Sequence, residues 1–165
     1  MTPVLRSGLI AALITLVLDQ ASKLWLVYGY ELGKRGLVTI TPFFDLVLAW
    51  NTGISYGWFQ SENAFAQTIL IVIKAGAIVL LAVWMARSQT VMATLGLGMI
   101  IGGAIGNAID RFLHGAVVDF ALFHAQLGGR RYDWYVFNLA DVAIVAGVLA
   151  LLYDSFRAPD AAKAP

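Results

Sequence analysis

Four long apolar runs, separated by polar segments, dominate the pattern of the chain. They extend over residues 4–28, 67–86, 91–112 and 137–156. A helix needs about 20 predominantly apolar residues to cross the hydrocarbon core of a bilayer, and each run has about that length. The pattern therefore predicts an all-α membrane protein with four transmembrane helices.

The segment 29–66, between the first two runs, has a strand-like pattern. Residues 37–41 are rich in β-branched side chains and end at Pro42, and residues 45–50 form a second run of this kind. Asn51-Thr52-Gly53 indicates a turn, after which residues 54–59 can pair back. We therefore predict a small β-sheet at one membrane face, where its aromatic side chains suit the interface.

The segment 113–136 is predicted to be a loop. It contains Asp119 within the sequence VVDF, and a flexible Gly128-Gly129 pair. A segment with glycine hinges can close over a site as a lid, but an ordinary surface loop fits the sequence equally well. The tail, residues 157–165, is polar and is predicted to be disordered.

Charged residues interrupt the first and third helices. Asp19 and Lys23 lie four residues apart and therefore share a helix face, which predicts an ion pair with Lys23 snorkelling towards the interface. This pair can be structural, part of a site, or both. At the end of the third helix we interpret Asp110 and Arg111 as a structural ion pair that caps the helix, rather than as catalytic groups.

Small residues form a stripe on the third helix at a spacing that lets a neighbouring helix approach closely. The stripe consists of Gly98, Gly102 and Gly106. The next step of four along the helix reaches Asp110, and Gly103, Asn107 and Arg111 form an adjacent row. The polar end of this helix is therefore predicted to face its neighbours.

Helix parity predicts that the polar residues gather at one membrane face. With four spans both termini lie on one side, so the first helix ends, and the fourth begins, on the other side. The residues predicted to meet there are Asp19, Lys23, Asn51, Asn107, Asp110, Arg111, Asp119, Asn138 and Asp141. Lysine and arginine are balanced between the two faces, so the positive-inside rule does not decide the orientation.

Composition excludes several classes of protein. The 165 residues are 60% hydrophobic, and the net charge of +1 does not indicate a nucleic-acid partner. There is no cysteine, so disulfides, thiol nucleophiles and cysteine-ligated zinc are impossible. With two histidines and no HExxH motif, we expect no metal and no cofactor.

Paired aspartates are the remaining candidates for catalysis. Ser22 and Lys23 are adjacent and do not face each other on a helix, and no GxSxG motif is present. Two close carboxyl groups share a proton, so one can take a proton from water while the other donates to a carbonyl. These features favour an intramembrane aspartyl peptidase. A small proton-coupled transporter and a non-enzymatic scaffold remain as alternatives.

Five ordered motifs resemble those of the bacterial lipoprotein signal peptidase family, also called signal peptidase II. They are DQASK (Asp19–Lys23), NTGISYG (Asn51–Gly57), GNAIDR (Gly106–Arg111), VVDF (Val117–Phe120) and FNLAD (Phe137–Asp141). The departures are Ile54-Ser55-Tyr56, Tyr135 before the last motif, and a long segment from Phe123 to Tyr135. They leave both motif aspartates in place but affect lid shape and substrate preference.

The resemblance implies a four-helix enzyme of the bacterial inner membrane, with cytoplasmic termini and a periplasmic sheet and lid. It implies Asp119 and Asp141 as the catalytic pair. The supporting residues it implies are Asp19, Lys23, Asn51, Gly53, Asn107, Asp110, Arg111 and Asn138. The implied substrate is a diacylglyceryl-modified prolipoprotein, cleaved before its lipidated cysteine. Membrane lipid and the inhibitor globomycin are further implied partners.

Overall fold

The computed structural model of the chain describes residues 1–52 and 64–157, and for residues 64–74 it describes the backbone alone. Gly53, the predicted strand at 54–59 and the tail beyond Arg157 lie outside this part of the chain. The described helices are α1 (Pro3–Leu24), α2 (Leu32–Arg35), α3 (Ala64–Arg87), α4 (Val91–His114) and α5 (Leu139–Arg157). The four long ones coincide with the four predicted apolar helices.

Local capping explains where α1 and α4 begin and where α4 ends. The Thr2 side chain accepts a hydrogen bond from the Leu5 amide at 3.2 Å, and Thr90 accepts one from Ala93 at 3.1 Å. Both threonines satisfy a helix N-terminal amide that has no partner within its own helix. α4 ends at His114 and is capped by Gly115, whose φ of 71° suits glycine. α1 continues as a single π-helical turn, Trp25–Gly29.

Three helices within the described residues are long and apolar enough to cross a membrane: Pro3–Gly29, Val91–His114 and Leu139–Arg157. The apolar part of α3 with described side chains, Ala75–Arg87, is shorter. The chain is therefore a multi-pass membrane protein.

α4 is the central helix of the bundle, and its glycines allow the close packing predicted from their spacing. A Cβ atom on Gly98 would collide with the backbone oxygen of Gly8 in α1. On the other side of α4, a Cβ on Gly103 would lie 2.7 Å from the Ala140 carbonyl oxygen of α5. Both neighbouring backbones therefore approach α4 more closely than any larger residue permits.

Four strands in the described part of the chain form an antiparallel sheet in the order β1-β2-β3-β4. They are β1 (Val38–Thr41), β2 (Phe44–Asn51), β3 (Val117–Leu127) and β4 (Arg130–Asp133). The first two confirm the predicted strands. β3 and β4 are joined by Gly128 and Gly129, whose φ angles of 58° and 76° suit a two-residue hairpin turn.

The predicted loop at 113–136 is wrong, because this segment contains β3 and β4. β3 was not recognised from the sequence because six consecutive residues, Val117–Leu122, are buried. A strand buried on both faces lacks the alternation of polar and apolar residues by which a strand is recognised. The pairing of β3 with β2 is long-range and has no local sequence signal.

The sheet packs over the end of the bundle where α1 ends and α5 begins. Leu26 and Leu32 form a buried cluster with Phe120 and Ala121 of β3. Ala121 also exchanges two backbone hydrogen bonds with Phe137, at 2.8 and 2.9 Å, just before α5. These contacts bring β3 to the helix ends that carry the polar residues.

Candidate active site

Asp119 on β3 is buried, with 3% of its surface exposed. Its Oδ2 accepts a hydrogen bond from Asn51 Nδ2 at 3.0 Å, and its Oδ1 accepts one from Asn138 Nδ2 at 2.6 Å. Asn51 is the last residue of β2, the strand paired with β3. Two adjacent strands and the segment before α5 therefore hold this carboxyl group.

Asp141 lies in the first turn of α5, where Asn138 caps the helix. The Asn138 backbone amide donates to Asp141 Oδ2 at 3.2 Å, and the Asp141 amide donates to Asn138 Oδ1 at 3.0 Å. This reciprocal pattern is that of a capping box. Asn107 of α4 completes the site by donating from Nδ2 to Asp141 Oδ1 at 3.1 Å.

The chemistry of their partners sets the orientation of both asparagine side chains. Lys23 can only donate, so Asn107 Oδ1 must face its ammonium group, at 2.9 Å, which turns Asn107 Nδ2 towards Asp141. A backbone amide also only donates, so Asn138 Oδ1 faces the Asp141 amide and Asn138 Nδ2 faces Asp119. A second hydrogen bond, from Asn138 Nδ2 to Asn107 Oδ1 at 3.1 Å, joins the two amides.

A buried ion cluster lies beneath these asparagines. The Lys23 ammonium contacts Asp19 Oδ2 at 2.8 Å and Asp110 Oδ2 at 2.7 Å, and Lys23 is only 3% exposed. The carboxylates also accept backbone hydrogen bonds from Ala140 and Val118, at 3.0 and 3.1 Å. The cluster therefore ties α1 and α4 to both β3 and α5.

Two predictions about this cluster are corrected. Asp19 and Lys23 do pair, but Lys23 points into the protein and does not snorkel, because buried oxygens surround its ammonium group. Asp110 was paired with Arg111 from sequence, whereas its cation in the structure is Lys23. Arg111 instead donates from Nη1 to the Asn107 carbonyl oxygen at 3.2 Å. Asp110 and Arg111, although adjacent at the end of α4, therefore bind different residues.

The pKa of Asp119 is raised from 3.8 to about 6. Burial is the largest cause, and the nearby charge of Asp141 raises the pKa further, while the hydrogen bonds from Asn51 and Asn138 lower it. A carboxyl group that titrates near neutral pH can both hold and release a proton under physiological conditions. The site therefore contains one such group next to a second carboxylate.

A second charged cluster lies farther along the sheet. Asp45 of β2 is fully buried, and its Oδ2 is 2.7 Å from Arg131 Nη2 and 3.2 Å from His124 Nε2. Burial raises the pKa of Asp45, but the hydrogen bond from Arg131 and other nearby groups outweigh it, so the pKa is lowered overall. This cluster connects β2, β3 and β4, and it was not predicted from the sequence.

Comparison with known proteins identifies the family. A family model described as signal peptidase (SPase) II matches residues 11–157. A lipoprotein signal peptidase of Nitrobacter hamburgensis is 72% identical over the full length of both chains. Another from Rhodopseudomonas palustris is 66% identical, again over both full lengths.

The chain belongs to the signal peptidase II family. It is accordingly a membrane-embedded protease. A solved bacterial membrane enzyme, determined by the in meso method at 2.3 Å, has a similar fold, with a TM-score of 0.75 and 22% identity. The alignment covers 93% of this chain and 89% of that one.

Nine of the ten predicted site residues of this signal peptidase II chain are brought together by the contacts above, and the tenth, Gly53, lies outside the described residues. Gln20 also belongs to this site, but it was not predicted as a site residue from the sequence. Its Nε2 donates to the Gly106 carbonyl at 3.1 Å and to Asp110 Oδ1 at 3.0 Å. A polar side chain next to Asp19 in an apolar helix was the available signal.

Proposed function

We propose that the protein removes the signal peptide from diacylglyceryl-modified prolipoproteins, cleaving before the lipidated cysteine, with Asp119 and Asp141 as the catalytic pair. The observation that carries this proposal is that Asn138 binds both carboxyl groups. Its side chain contacts Asp119 at 2.6 Å, and its backbone amide contacts Asp141 at 3.2 Å. Two carboxyl groups bound to one residue can act together on one peptide bond.

The two aspartates have different surroundings, which supports different roles. Asp119, with its raised pKa, is the proton donor in the proposed mechanism. Asp141 carries the negative charge, because it lies at a helix N-terminus and accepts hydrogen bonds from two N–H groups.

In the first step, Asp141 takes a proton from water as the water oxygen bonds to the scissile carbonyl carbon. Asp119 donates its proton to the carbonyl oxygen, which gives a neutral gem-diol. In the second step, Asp141 passes its proton to the leaving nitrogen and the C–N bond breaks. Asp119 recovers a proton from the gem-diol, so the pair returns to its starting state.

The remaining polar residues hold this pair in the proposed mechanism. Lys23 orients the Asn107 amide that faces Asp141, and Asn51 holds Asp119. Asp19, Gly53, Asp110 and Arg111 complete the set of supporting residues.

We further propose that α3 is the fourth membrane span. It has 24 residues, or roughly 36 Å of helix, which is long enough to cross a bilayer. The proposed location is the bacterial inner membrane, with the termini in the cytoplasm and the sheet and the catalytic pair towards the periplasm. A lipid-anchored substrate then reaches the site sideways from the bilayer.

A cleavage assay tests the proposal. Purified protein in detergent is mixed with a diacylglyceryl prolipoprotein, and the size change on cleavage is followed by gel electrophoresis. We expect cleavage that a chelator does not affect, that globomycin inhibits, and that Asp119→Asn and Asp141→Asn each abolish. Glu31→Gln is the matched control, because it makes the same chemical change at an exposed position on the same face.

Either outcome of this assay is informative. Substantial turnover by a folded Asp119→Asn or Asp141→Asn variant would remove that residue from the pair. A well-folded wild-type protein that does not cleave the substrate would contradict the function itself.

A further inference from the structure

A groove with a volume of about 530 Å³ lies at the end of the bundle opposite Asp119 and Asp141. Its walls come from the end of α3, the start of α4 and the end of α5, with Ala93 of α4 between them. Trp84, Leu151 and Leu152 give the groove apolar walls, and half of the Trp84 surface is exposed. The proposed catalytic site does not use this groove.

One end of the groove is polar and acidic. Asp154 lines it, and its Oδ2 accepts a hydrogen bond from Thr90 Oγ1 at 2.9 Å, which holds the carboxylate in place. Ser88 and Ser155 also line the groove. Among the residues described at this end of the bundle, Asp154 is the acidic one.

Three described basic side chains at this end do not line the groove: Arg6, Arg87 and Arg157. Arg157 is engaged elsewhere, since its guanidinium carbon lies 5.1 Å from the ring centroid of Tyr153. The groove therefore combines apolar walls with a negative group, and suits a ligand that has an apolar part and a positive end.

The length of α5 relates this groove to the proposed catalytic site. Asp141 and Asp154 lie on the same helix, about 20 Å apart at about 1.5 Å per residue. A signal peptide has a basic n-region followed by about 7–15 apolar residues, which span roughly 10–22 Å as a helix. Measured along the axis of α5, a signal peptide with its cleavage site at Asp141 therefore brings its basic end to the level of Asp154.

We propose that this groove binds the basic n-region of the prolipoprotein signal peptide, with Asp154 as its charge partner. The inference rests on the proposed function and adds a second contact, far from the cleaved bond. The charge of the n-region and the length of the apolar stretch both contribute to substrate choice in this arrangement. A partly exposed ion pair changes affinity by about two- to fivefold, so the effect is one of KM.

The test uses the full-length protein in liposomes and two synthetic prolipoproteins that differ only in the n-region, which carries Lys-Lys in one and Gln-Gln in the other. We expect Asp154→Asn to raise KM about two- to fivefold for the Lys-Lys substrate, with kcat unchanged, and to leave the Gln-Gln substrate unaffected. Asp154→Lys raises KM for the Lys-Lys substrate further. A third substrate that carries Glu-Glu in the n-region restores a low KM for the Asp154→Lys variant. Glu31→Gln is the control.

A second variant covers the case in which loss of the Thr90 contact impairs folding. Ser155→Lys keeps Asp154 and its hydrogen bond but adds a cation to the groove, and it raises KM for the Lys-Lys substrate alone. The assay is repeated in vesicles of phosphatidylethanolamine and of phosphatidylglycerol, because a lipid headgroup is the competing occupant.

The outcomes separate the two proposals. Equal effects of Asp154→Asn on both substrates, no effect on either, or an effect that follows the lipid rather than the n-region would each overturn the groove assignment. Those results leave the proposed function intact if wild type cleaves. Absence of cleavage by wild type would refute the proposed function, and the groove assignment with it.

Discussion

Lys23→Met tests whether the buried ammonium group both stabilises the bundle and orders the proposed catalytic site. Three oxygens lie within 2.9 Å of Lys23 Nζ: Asp19 Oδ2, Asp110 Oδ2 and Asn107 Oδ1. Methionine keeps much of the apolar length of the side chain and removes the charge. The substitution therefore isolates the electrostatic contribution.

The expected loss of stability is large because two buried carboxylates lose their shared ammonium partner. Removing one member of a buried ion pair costs about 3–5 kcal/mol. At about 2–4 °C per kcal/mol for a chain of this size, the midpoint of thermal unfolding falls by roughly 10 °C. An exposed pair contributes far less, so Lys34→Met, which breaks the exposed contact with Glu31, serves as the control.

Activity is expected to fall as well, through Asn107. Without the ammonium donor, the Asn107 amide loses the charged one of the two donors that turn its Nδ2 towards Asp141. Small displacements in a catalytic site reduce rates by about 100-fold, and we expect a loss of that order in kcat for protein that remains folded.

Thermal unfolding and prolipoprotein cleavage are measured in the same detergent for Lys23→Met, Asp110→Asn and the double variant. The double variant restores the charge balance, so its loss of stability should be smaller than the sum of the two single losses. If Lys23→Met unfolds within 2 °C of wild type, about the effect of a surface pair, and cleaves normally, the assigned role is wrong.

Three further predictions concern the pKa values and the packing. In the proposed mechanism kcat/KM falls as the pH rises through the Asp119 pKa of about 6. Asn51→Ala removes a hydrogen-bond donor to the charged form of Asp119, so it raises this pKa and moves the fall in kcat/KM to higher pH. An unchanged pH profile of the variant would contradict the role of Asn51. Because the pKa of Asp45 is lowered on folding, its contribution to stability is present above pH 3.8 and is lost as the pH falls through the folded pKa. Asp45→Asn should therefore lower the midpoint of thermal unfolding at pH 7 and have less effect near pH 3. An equal shift of the midpoint at both pH values would count against this ion pair. Gly98→Leu should prevent close packing of α1 on α4 and lower stability by about 1–3 kcal/mol or more, whereas Gly76→Leu, whose Cβ would meet no described atom within 4 Å, should be tolerated. Equal unfolding midpoints for the two variants would refute the packing argument.

The helices and the gathering of polar residues at one end could be predicted from the sequence. Hydrophobic length is a local property, and a run such as 91–112 predicts a membrane helix without knowledge of its neighbours. The glycine spacing in α4 likewise predicted a close helix contact. Helix parity alone then predicted that Asp19, Asp119 and Asp141 lie at the same membrane face.

Only the tertiary structure decided which groups pair. The partners of Lys23 include Asp110, distant in sequence, and the contact depends on how closely α1 packs on α4. β3 was hidden because both of its faces are buried, and its pairing with β2 is what brings Asn51 to Asp119.

The same reason explains why the Asp45 cluster and the role of Asn138 could not be predicted from sequence. Asp45, His124 and Arg131 lie on three strands, and nothing local to any one of them indicates the others. Asn138 was recognised as polar and on the face of Asp141, but its contact with Asp119 requires the bond between β3 and Phe137. Hydrophobic patterns specify elements locally, whereas hydrogen bonds between distant residues form only once those elements have packed.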